Sequence, residues 1–350
     1  MAFQPIVPVL KMNSSHAIDR ERGVDGLVSS VDAARAFYTI SATVRTFDFT
    51  MTHKLDTDDF FIQCVQRHCA EARMNFFLVE PLWVDCFLDK FTRGEVTARV
   101  LLNMHSEHHQ PDEIFHRLVR AMAERGVQVI DPPEVALNAF DKARLHERLV
   151  AAGIPVPPTV IVRREQVTGL QLTDAQTALL GLPFVIKPSM GYGRRGVVLD
   201  AQSIADLARS IAAWNDTAYL LQQRIKPRDI GGEPAYFRVF NAFGTTWCCW
   251  WNCFTDRFRV VSDEEMERLS LGALPEISRQ IAALTGMRFF STEIAQTDTG
   301  EFIVIDYVND QCHMLSQSAD VAKGVPDDVV AGIAARLVAG AKGLIDAPRR

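Results

Sequence analysis

One stretch constrains the fold more than any other, and it runs from Gly181 to Leu199 as GLPFVIKPSMGYGRRGVVL. Its first apolar run, Phe184–Ile186, predicts a buried strand that ends in Lys187-Pro188, and its second, Gly196–Leu199, predicts the return strand. The loop between the strands contains Gly191, Gly193 and Gly196. Glycines allow backbone amides to approach phosphate oxygens closely, and a lysine supplies positive charge. The stretch therefore predicts either a polyphosphate clamp or a plain glycine hairpin on the surface.

The glycine spacing differs from the two common phosphate-binding fingerprints. A Walker loop ends in Gly-Lys-Ser/Thr and opens a helix, whereas here Lys187 precedes the loop. A dinucleotide fingerprint also opens a helix, whereas this loop leads into a strand. If the loop binds phosphate, the sequence predicts a different fold around it.

Length and charge exclude several classes of protein. The chain has 350 residues, enough for two or three domains, and a formal net charge of −6, which gives no sign of nucleic-acid or membrane-surface binding. We find no membrane-length apolar run and no signal-peptide pattern. The seven cysteines are odd in number and irregularly spaced. They predict free thiols in the reducing cytoplasm, without a zinc site.

The region 37–131 alternates strands with helices, which predicts a small α/β domain with a largely parallel sheet. Residues 1–36 predict only an arm or an extra strand. Asp56 or Thr57 is a candidate cap for the first helix. The predicted strands and helices are Thr43–Phe49, Asp58–Arg73 (helix), Asn75–Val79, Ala98–Met104, Pro111–Arg125 (helix, ended by Gly126) and Val127–Ile130.

After Pro132-Pro133 the pattern changes to longer helices and then to a strand-rich region. A single helix is predicted from Glu134 to Ala152, with Asp141-Lys142 in its middle. The other predicted helices are Thr173–Leu180, Ile204–Ala213, Ala273–Thr285 and Asp327–Leu344. The predicted strands are Thr159–Val162, Tyr219–Ile225, Ala235–Phe243, Thr245–Cys253, Arg257–Val261, Phe289–Gln296 and Glu301–Val308.

Three segments in this order resemble the ATP-grasp superfamily, and within it the ribosomal-protein-modifying glutamate ligases and glutathione synthetase. They are Ile130–Thr159, FVIKPSMGYGRRGVV followed by YLLQQRI, and TEIAQTDTGEFIVIDYVN. The resemblance implies an α/β (α+β) chain with two ATP-grasp subdomains, residues 132–225 and 226–350. A small Rossmann-like pre-ATP-grasp domain, residues 37–131, would precede them.

The resemblance also implies a nucleotide site. Lys142 and Lys187 would neutralise the ATP phosphates from two separate elements, although both could be ordinary surface lysines. The loop 190–196, with Arg194 and Arg195, would cover the phosphates. An amide in the hinge could pair with the adenine amino group, and Asp229 with the ribose. The implied ATP-binding residues are Lys142, Lys187, Ser189, Gly191, Gly193, Gly196, Gln222, Gln223, Ile225 and Asp229.

Glu293, Asp306 and Asn309 are the implied ligands of Mg²⁺, or alternatively Mn²⁺, because hard cations prefer oxygen ligands. A step of two residues back from Asn309 arrives at Tyr307, and Asp306 is three residues back. In a regular strand Asp306 and Asn309 would face opposite sides. Either a bulge turns one of them, or Asp310 replaces Asp306 as the ligand.

Arg238, together with Lys187, is the implied catalytic residue, held against an acyl phosphate; the alternative is a strand arginine paired on the surface. The remaining polar and aromatic candidates are assigned no function. Trp247, Trp250 and Trp251 are predicted to pack in the core, and Cys312-His313 to be incidental. His105, His108 and His109 are predicted to be exposed.

The resemblance implies an ATP-dependent ligase that joins a carboxylate to an amine, or less often a thiol, and releases ADP and phosphate. Its substrates would be small molecules or peptides, and a homo-oligomer is possible by analogy with relatives. Two alternatives stay open. One is a small-molecule kinase that uses the same nucleotide site. The other is a nucleotide-binding regulatory protein with a degenerate metal site.

Overall fold

The structure is a computed structural model, and it describes residues 44–53, 58–105 and 110–347. The predicted N-terminal arm, the candidate caps Asp56 and Thr57, and the histidines 108 and 109 lie outside the described residues. The strands are β1 (Arg45–Thr52), β2 (Phe76–Val79), β3 (Val96–Asn103), β4 (Gln128–Ile130), β5 (Thr159–Arg163), β6 (Phe184–Pro188), β7 (Val198–Ala201), β8 (Ala218–Gln223), β9 (Asp229–Ile230), β10 (Glu233–Pro234), β11 (Tyr236–Ala242), β12 (Thr245–Asn252), β13 (Arg257–Val260), β14 (Phe289–Gln296) and β15 (Phe302–Asn309).

Most α-helices lie at the predicted positions; the exceptions are one predicted helix that is divided in two and two helices that were not predicted. The described helices are α1 (Asp59–Glu71), α2 (Val84–Thr92), α3 (Ile114–Glu124), α4 (Pro133–Phe140), α5 (Lys142–Ala151), α6 (Asp174–Leu180), α7 (Leu207–Ala213), α8 (Asp263–Arg268), α9 (Ala273–Thr285) and α10 (Asp327–Asp346). Helices α2 and α8 were not predicted from the sequence. Across the described ranges, no helix combines the length and the apolar character that a membrane span requires.

The first sheet is parallel, with the strand order β2-β1-β3-β4. The second halves of its two central strands, residues 49–52 and 100–103, are buried at every residue, as expected for a parallel sheet covered on both faces. Helix α3 ends where Gly126 adopts a φ of +80°, a conformation that glycine adopts without strain. The prediction of a largely parallel sheet with alternating helices is confirmed for this region.

Two antiparallel sheets follow. The middle sheet has the order β5-β8-β6-β7, and the last has the order β13-β12-β11-β14-β15. Helix α10 packs against α1 and β11 on one face of the last sheet, where Phe240, Trp251 and Ile333 share a core with β1. Helices α9, α4 and α5 cover its other face around Phe237 and Trp250.

The predicted single helix from Glu134 to Ala152 is wrong, because the chain breaks at Asp141. Helix α4 ends at Phe140, and Asp141 takes an extended conformation as the N-cap of α5, where its carboxylate accepts a hydrogen bond from the backbone N–H of Arg144 (3.2 Å). Aspartate is among the preferred N-cap residues because its oxygen satisfies an N–H at the helix start. The break places Lys142 in the first turn of a new helix.

Asp131 directly follows β4 of the parallel sheet, and its side chain holds the start of β14 in place. It is 4% exposed, and its carboxylate oxygens accept hydrogen bonds from the backbone N–H groups of Arg288 (2.8 Å) and Phe289 (2.9 Å). Burial raises the pKa of Asp131 to about 7, although both hydrogen bonds favour the ionised form. The folded protein therefore holds a proton at pH values where the unfolded chain has lost it.

We expect Asp131 to make the protein less stable as the pH rises. Its contribution is fully present below about pH 4 and is lost as the pH rises through about 7, because the folded pKa lies above the unfolded one. The loss is at most about 4 kcal/mol, since a tenfold change in proton affinity corresponds to about 1.4 kcal/mol. Urea unfolding of the wild type and Asp131→Asn at pH 5 and pH 8 measures it. Equal pH dependence in the two proteins would contradict the expectation.

Candidate active site

Lys187 lies at the junction between the middle sheet and the last sheet. It stands on β6, where the neighbouring Val185, Ile186 and Pro188 are buried, and its side chain is half-buried. Its Nζ donates a hydrogen bond to the backbone oxygen of Ile305 (2.6 Å), one residue before Asp306 on β15. The first candidate phosphate ligand therefore lies beside the candidate metal strand.

Lys142 approaches the same region from the first turn of α5. Its backbone N–H donates to the Ser189 oxygen (3.0 Å), and its Nζ donates to the Gly191 oxygen in the glycine loop (2.8 Å). Burial lowers the pKa of Lys142; Asp306 raises it and Lys187 lowers it. Lys142 therefore interacts electrostatically with Lys187 and with the carboxylates of Glu293 and Asp306. A site for a magnesium–polyphosphate complex requires such a group of charges.

Ser189 has a structural position. It is 1% exposed, its hydroxyl donates to the Asp141 carboxylate (2.5 Å), and it accepts from the Ala143 backbone N–H (2.9 Å). These contacts join the start of α5 to the end of β6. Ser189 therefore aligns Lys142 with the glycine loop, and its hydroxyl is already committed to protein partners.

The glycine loop reaches the last sheet. Arg194 forms an ion pair with Asp256, in the turn between β12 and β13, and its guanidinium lies 5.8 Å from the Trp251 ring centre. At the base of the loop, the Met190 backbone N–H donates to the Asp216 carboxylate (2.6 Å). The loop therefore spans the space between the two sheets, the position expected of a cover over the phosphates.

The three loop glycines differ in the reason for being glycine. Gly196 has a φ of +73°, and a Cβ built on it would lie 2.7 Å from Pro188 Cγ and 2.7 Å from Trp214 Cβ. Gly193 also has a positive φ, +57°, but no atom lies within 4 Å of a built Cβ. At Gly191 a Cβ would lie 3.1 Å from Pro188 Cβ. Packing therefore requires glycine at 196, and backbone conformation favours it at 193.

We expect Gly196→Ala to reduce the free energy of unfolding by about 2–4 kcal/mol, because it adds an overpacked methyl group to an unfavourable φ. Gly193→Ala is the matched control and should cost about 1 kcal/mol, since it carries only the backbone cost. Urea unfolding of both variants measures the difference. Equal losses would show that the close contacts at Gly196 relax without cost.

In the hinge after β8, backbone atoms are open to a ligand, whereas the Gln222 side chain is not. Gln222 is buried, and its Nε2 donates to Tyr307 Oη (2.7 Å) and to Thr159 Oγ1 (3.1 Å). Residues 224–227 make no backbone hydrogen bond within the described ranges. The main chain around Ile225 is therefore available to an adenine edge, while the Gln222 amide is occupied.

Asp229 also has a protein partner. Its carboxylate accepts a hydrogen bond from the Gly232 backbone N–H (2.8 Å), which closes the short β9–β10 hairpin, and the side chain is exposed. Gln223 donates its backbone N–H to the Pro158 oxygen (2.9 Å). Both residues therefore support the shape of the hinge region, and their roles in ribose or adenine binding stay predictions.

A β-bulge resolves the spacing of the candidate metal ligands. Glu293 pairs with Asp306, whereas Ser291, two residues earlier on β14, pairs with Asn309, three residues later on β15. One strand advances two residues while the other advances three, which is the definition of a bulge. The bulge removes the objection that Asp306 and Asn309 must face opposite sides.

The side chains at this bulge suit a hard cation. Asp306 Oδ1 is buried and has no hydrogen-bond partner within the described part of the chain. Buried polar atoms are normally satisfied, so this carboxylate oxygen is suited to accept a cation. No three His, Cys, Asp or Glu side chains converge on a metal position in residues 44–53, 58–105 and 110–347. Two carboxylates and an amide fit Mg²⁺, which usually takes its other ligands from water and phosphate.

Arg238, on β11, is a third cation beside Lys142, Lys187 and the carboxylates of Glu293 and Asp306. Its Nη1 lies 3.4 Å from Glu293 Oε1, its Nε donates to Ser291 Oγ (3.0 Å), and its guanidinium lies 5.6 Å from the Trp251 ring centre. Burial raises the pKa of Glu293 to about 7, with Arg238 lowering it and Asp306 raising it. The predicted alternative, a strand arginine paired with an acid, is present in this contact, but its predicted surface location is wrong because the Arg238 side chain is only 13% exposed.

The residues that were assigned no function show a mixed outcome. Trp250 and Trp251 are buried as predicted, and all seven cysteines are free thiols. Burial raises the pKa of Cys312 to about 12, which keeps it a thiol at neutral pH. The prediction that His105 is exposed is wrong, because it is buried with Nε2 3.4 Å from Glu113. The sequence pattern did not reveal this burial, because His105 lies just beyond the end of β3.

Sequence reasoning missed three residues that shape the site. Asp141 and Asp216 hold the start of α5 and the glycine loop. His146 shares a hydrogen bond with Tyr307, which follows Asp306 on β15 (Nδ1 to Oη 2.6 Å). One signal was available, since Lys142 and His146 are four residues apart and lie on one side of a helix.

No protein-family model matches the chain. In sequence it is similar to human N-acetylaspartylglutamate synthase A, at 24% identity over 204 residues (54% of this chain, 48% of that protein). It is also similar to N5-carboxyaminoimidazole ribonucleotide synthase of Mycobacterium tuberculosis, at 32% identity over 123 residues (34% and 26%). The chain thus spans half or less of the length of these curated relatives.

Solved structures cover almost the whole fold. D-alanine–D-alanine ligase from Bacillus anthracis complexed with ATP matches with a TM-score of 0.58 at 13% identity (87% of this chain, 97% of that one). A RimK-domain ATP-grasp protein from Sphaerobacter thermophilus matches with a TM-score of 0.57 at 18% identity (83% and 98%). The ATP-grasp ligase PsnB, complexed with a variant of its minimal precursor, Mg and ADP, matches with a TM-score of 0.55 at 15% identity (86% and 100%).

These likenesses confirm the predicted α/β (α+β) class and the predicted fold. The parallel sheet comes first in the chain, and the two larger antiparallel sheets enclose the lysines and the carboxylates. The sequence relatives are synthases, and the structural neighbours include ligases. The chain therefore has the ATP-grasp fold, and its sequence resembles the synthases named above.

Proposed function

We propose that this protein is an ATP-dependent ligase that joins a carboxylate to an amine and releases ADP and phosphate. One observation carries the proposal: Lys142, Lys187, Arg238, Glu293 and Asp306, from five different elements, form a single charged cluster between the two antiparallel sheets. Such a cluster is costly to bury without a ligand of complementary charge. A magnesium–triphosphate complex has that complementarity.

Each residue has a proposed part in the reaction. Lys142 and Lys187 bind phosphate oxygens, and Arg238 stabilises the negative charge on the phosphoryl group as it passes to the substrate carboxylate. Glu293, Asp306 and Asn309 hold Mg²⁺, which supplies neutralisation of the same charge. The amine then displaces phosphate from the acyl phosphate. No side-chain nucleophile is required for this sequence of steps.

The relatives suggest which substrates to test first. Two of them, N-acetylaspartylglutamate synthase A and β-citrylglutamate synthase B, have glutamate in the names of their products. PsnB is complexed with a precursor peptide. We therefore propose a glutamate-like amino acid as the first amine, and small carboxylic acids and peptide carboxylates as its partners. A reducing cytoplasmic compartment would suit the seven free thiols.

A small-molecule kinase is the second candidate, because the same nucleotide cluster could transfer phosphate to a hydroxyl. A regulatory protein with a degenerate metal site is the third. The bulge at Asp306 weakens the third candidate, since the unusual ligand spacing was its main support and the pairing of β14 with β15 accommodates that spacing. The products of the reaction separate the first candidate from the second.

The experiment is Mg²⁺-dependent ADP and phosphate release with pools of carboxylic acids and amines. A ligase requires one acid and one amine together, and yields free phosphate with the joined product. A phosphorylated acceptor without free phosphate would establish a kinase instead. ATP binding without turnover in any pool would contradict the ligase proposal for the substrate classes tested and favour regulation.

A further inference from the structure

Tyr307 connects the candidate metal strand to the rest of the nucleotide site. It follows Asp306 directly within the bulged part of β15, and its side chain packs in the core on the α9 side of the last sheet, where it is 2% exposed. Its hydroxyl lies 2.6 Å from His146 Nδ1 and 2.7 Å from Gln222 Nε2. Because its hydroxyl is buried and has two side-chain partners, the Tyr307 side chain is held in one position.

One arrangement of hydrogen atoms satisfies this network. The Thr159 hydroxyl donates to the Pro157 oxygen (2.7 Å) and accepts from Gln222 (3.1 Å). Gln222 Nε2 also donates to the Tyr307 oxygen, and the Tyr307 hydroxyl can then donate to Nδ1 of a neutral His146 with its proton on Nε2. The burial of His146 favours the neutral ring.

The three members stand next to three different parts of the candidate site. His146 is four residues after the phosphate lysine Lys142 on α5. Gln222 is on β8, immediately before the adenine hinge. Tyr307 is bonded through the chain to Asp306. One hydroxyl group therefore connects the helix of a phosphate ligand, the strand of the hinge and the strand of the metal ligand.

The bulge explains why such a connection is needed. A bulged strand lacks the regular ladder that fixes which way each side chain faces, and a slip by one residue reverses every side chain. Neighbouring elements hold the main chain just before Tyr307. The backbone N–H of Val304 donates to Pro155 (2.9 Å), and the Thr292 hydroxyl donates to the Asp306 oxygen (3.0 Å). These main-chain hydrogen bonds fix where β15 lies. The Tyr307 side chain fixes the rotation of β15 about its own axis, and so which way each side chain faces.

We propose that the His146–Tyr307–Gln222 network holds the Asp306 carboxylate in the direction that Mg²⁺ binding requires, so that its members are positioning residues for the metal. This rests on the proposed nucleotide site but not on the choice of ligase, kinase or regulator. It also assigns the Gln222 amide to positioning instead of adenine contact. Groups hydrogen-bonded to a metal ligand commonly change metal affinity about 10- to 100-fold when they are replaced, and this network would act on Asp306 through its chain bond to Tyr307.

Tyr307→Phe tests the proposal, because it removes the hydroxyl and keeps the ring. ATP binding is measured by calorimetry across a Mg²⁺ titration, without any acceptor substrate. We expect the Mg²⁺ concentration at half-maximal enhancement of ATP binding to rise about 10-fold or more. ATP affinity in the absence of Mg²⁺ should stay within about twofold, because the lysines keep their contacts.

Two matched controls separate positioning from general loss of structure. Tyr219→Phe removes a buried hydroxyl that also has two partners, the Trp214 oxygen (2.9 Å) and the Asp216 N–H (2.8 Å), and lies on the opposite side of the middle sheet. It should lower the melting temperature without raising the Mg²⁺ midpoint. At position 146, His146→Gln keeps an acceptor for Tyr307 and should retain a nearly normal midpoint. His146→Leu removes the acceptor and should raise it.

The outcomes are separable from those of the proposed function. A wild-type Mg²⁺ midpoint in Tyr307→Phe, alongside a lower melting temperature, would overturn the network proposal and leave the ligase proposal standing. Equal shifts in Tyr307→Phe and Tyr219→Phe would also overturn it, since the effect would then reflect stability alone. If the wild-type protein binds no Mg²⁺–ATP at all, both proposals fail together.

Discussion

Replacing Lys187 with methionine is expected to reduce ATP affinity about 10- to 100-fold and turnover about 10²- to 10³-fold. A hydrogen bond to a charged group contributes about 1.5–3 kcal/mol, which corresponds to the loss of affinity. The loss of turnover is larger because a fixed cation stabilises charge that develops only in the transition state. Methionine has a similar length and no charge, so the substitution isolates the ammonium group.

The structural reason for the large effect is the position of the Lys187 ammonium group. It lies 2.6 Å from the backbone oxygen of Ile305, next to Asp306, and it is half-buried. A surface lysine would be screened by water and would contribute little to ligand binding. The same contact means that the variant leaves one carbonyl without its partner, so its melting temperature must be measured beside its affinity.

Lys342→Met is the matched control for the charge change. Lys342 forms an exposed pair with Asp346 on α10 (2.8 Å), and such pairs contribute less than about 1 kcal/mol. We expect its ATP affinity and turnover to match those of the wild type. If Lys187→Met binds ATP normally while remaining folded, Lys187 is a structural tie between the sheets and the phosphate assignment is wrong.

The sequence predicted the strand that carries Lys187 because its cause is local. Phe184–Ile186 form a short apolar run between Pro183 and Lys187-Pro188, and its length and its flanking prolines favour a buried strand over a helix. The same holds for α9, whose predicted bounds match the structure, with Gly286 at a φ of +81° ending it. Helices and strands that depend on local sequence alone were predicted to within a few residues of their observed bounds.

Other parts of the site depend on contacts between distant residues, which a single sequence does not display. Asp141 breaks the predicted helix because Ser189, far along the chain, also bonds to its carboxylate. The ligand pattern at β15 depends on how that strand pairs with β14, and the sequence allowed two solutions there. The resemblance implied an adenine contact for Gln222, and its actual partner Tyr307 is too remote in sequence for a local pattern to reveal it. In each case tertiary contacts decided what local pattern could not.

The pairing also bears on which acid binds the metal, Asp306 or Asp310. Asp306 lies opposite Glu293 across the sheet, and its Oδ1 is buried and unpaired within the described residues. Asp310 lies beyond the end of β15, and its Oδ1 accepts the backbone N–H of Gln311 (2.9 Å). The geometry therefore favours Asp306. Replacing each acid by its amide provides a direct test, because the shape is kept and one charge is removed.

We expect Asp306→Asn to raise the Mg²⁺ midpoint of ATP binding at least about 100-fold and to reduce turnover about 10³-fold, since a neutral amide is a weaker ligand for a hard cation. Asp310→Asn should change both quantities less than about threefold. Calorimetric Mg²⁺ titrations of both variants, with melting temperatures to confirm folding, measure the contrast. The reverse pattern would make Asp310 the ligand and would mean that the bulge does not serve metal binding. Equal effects would mean that both carboxylates contribute, and that negative charge at this end of the sheet, rather than the direction of one side chain, determines the affinity.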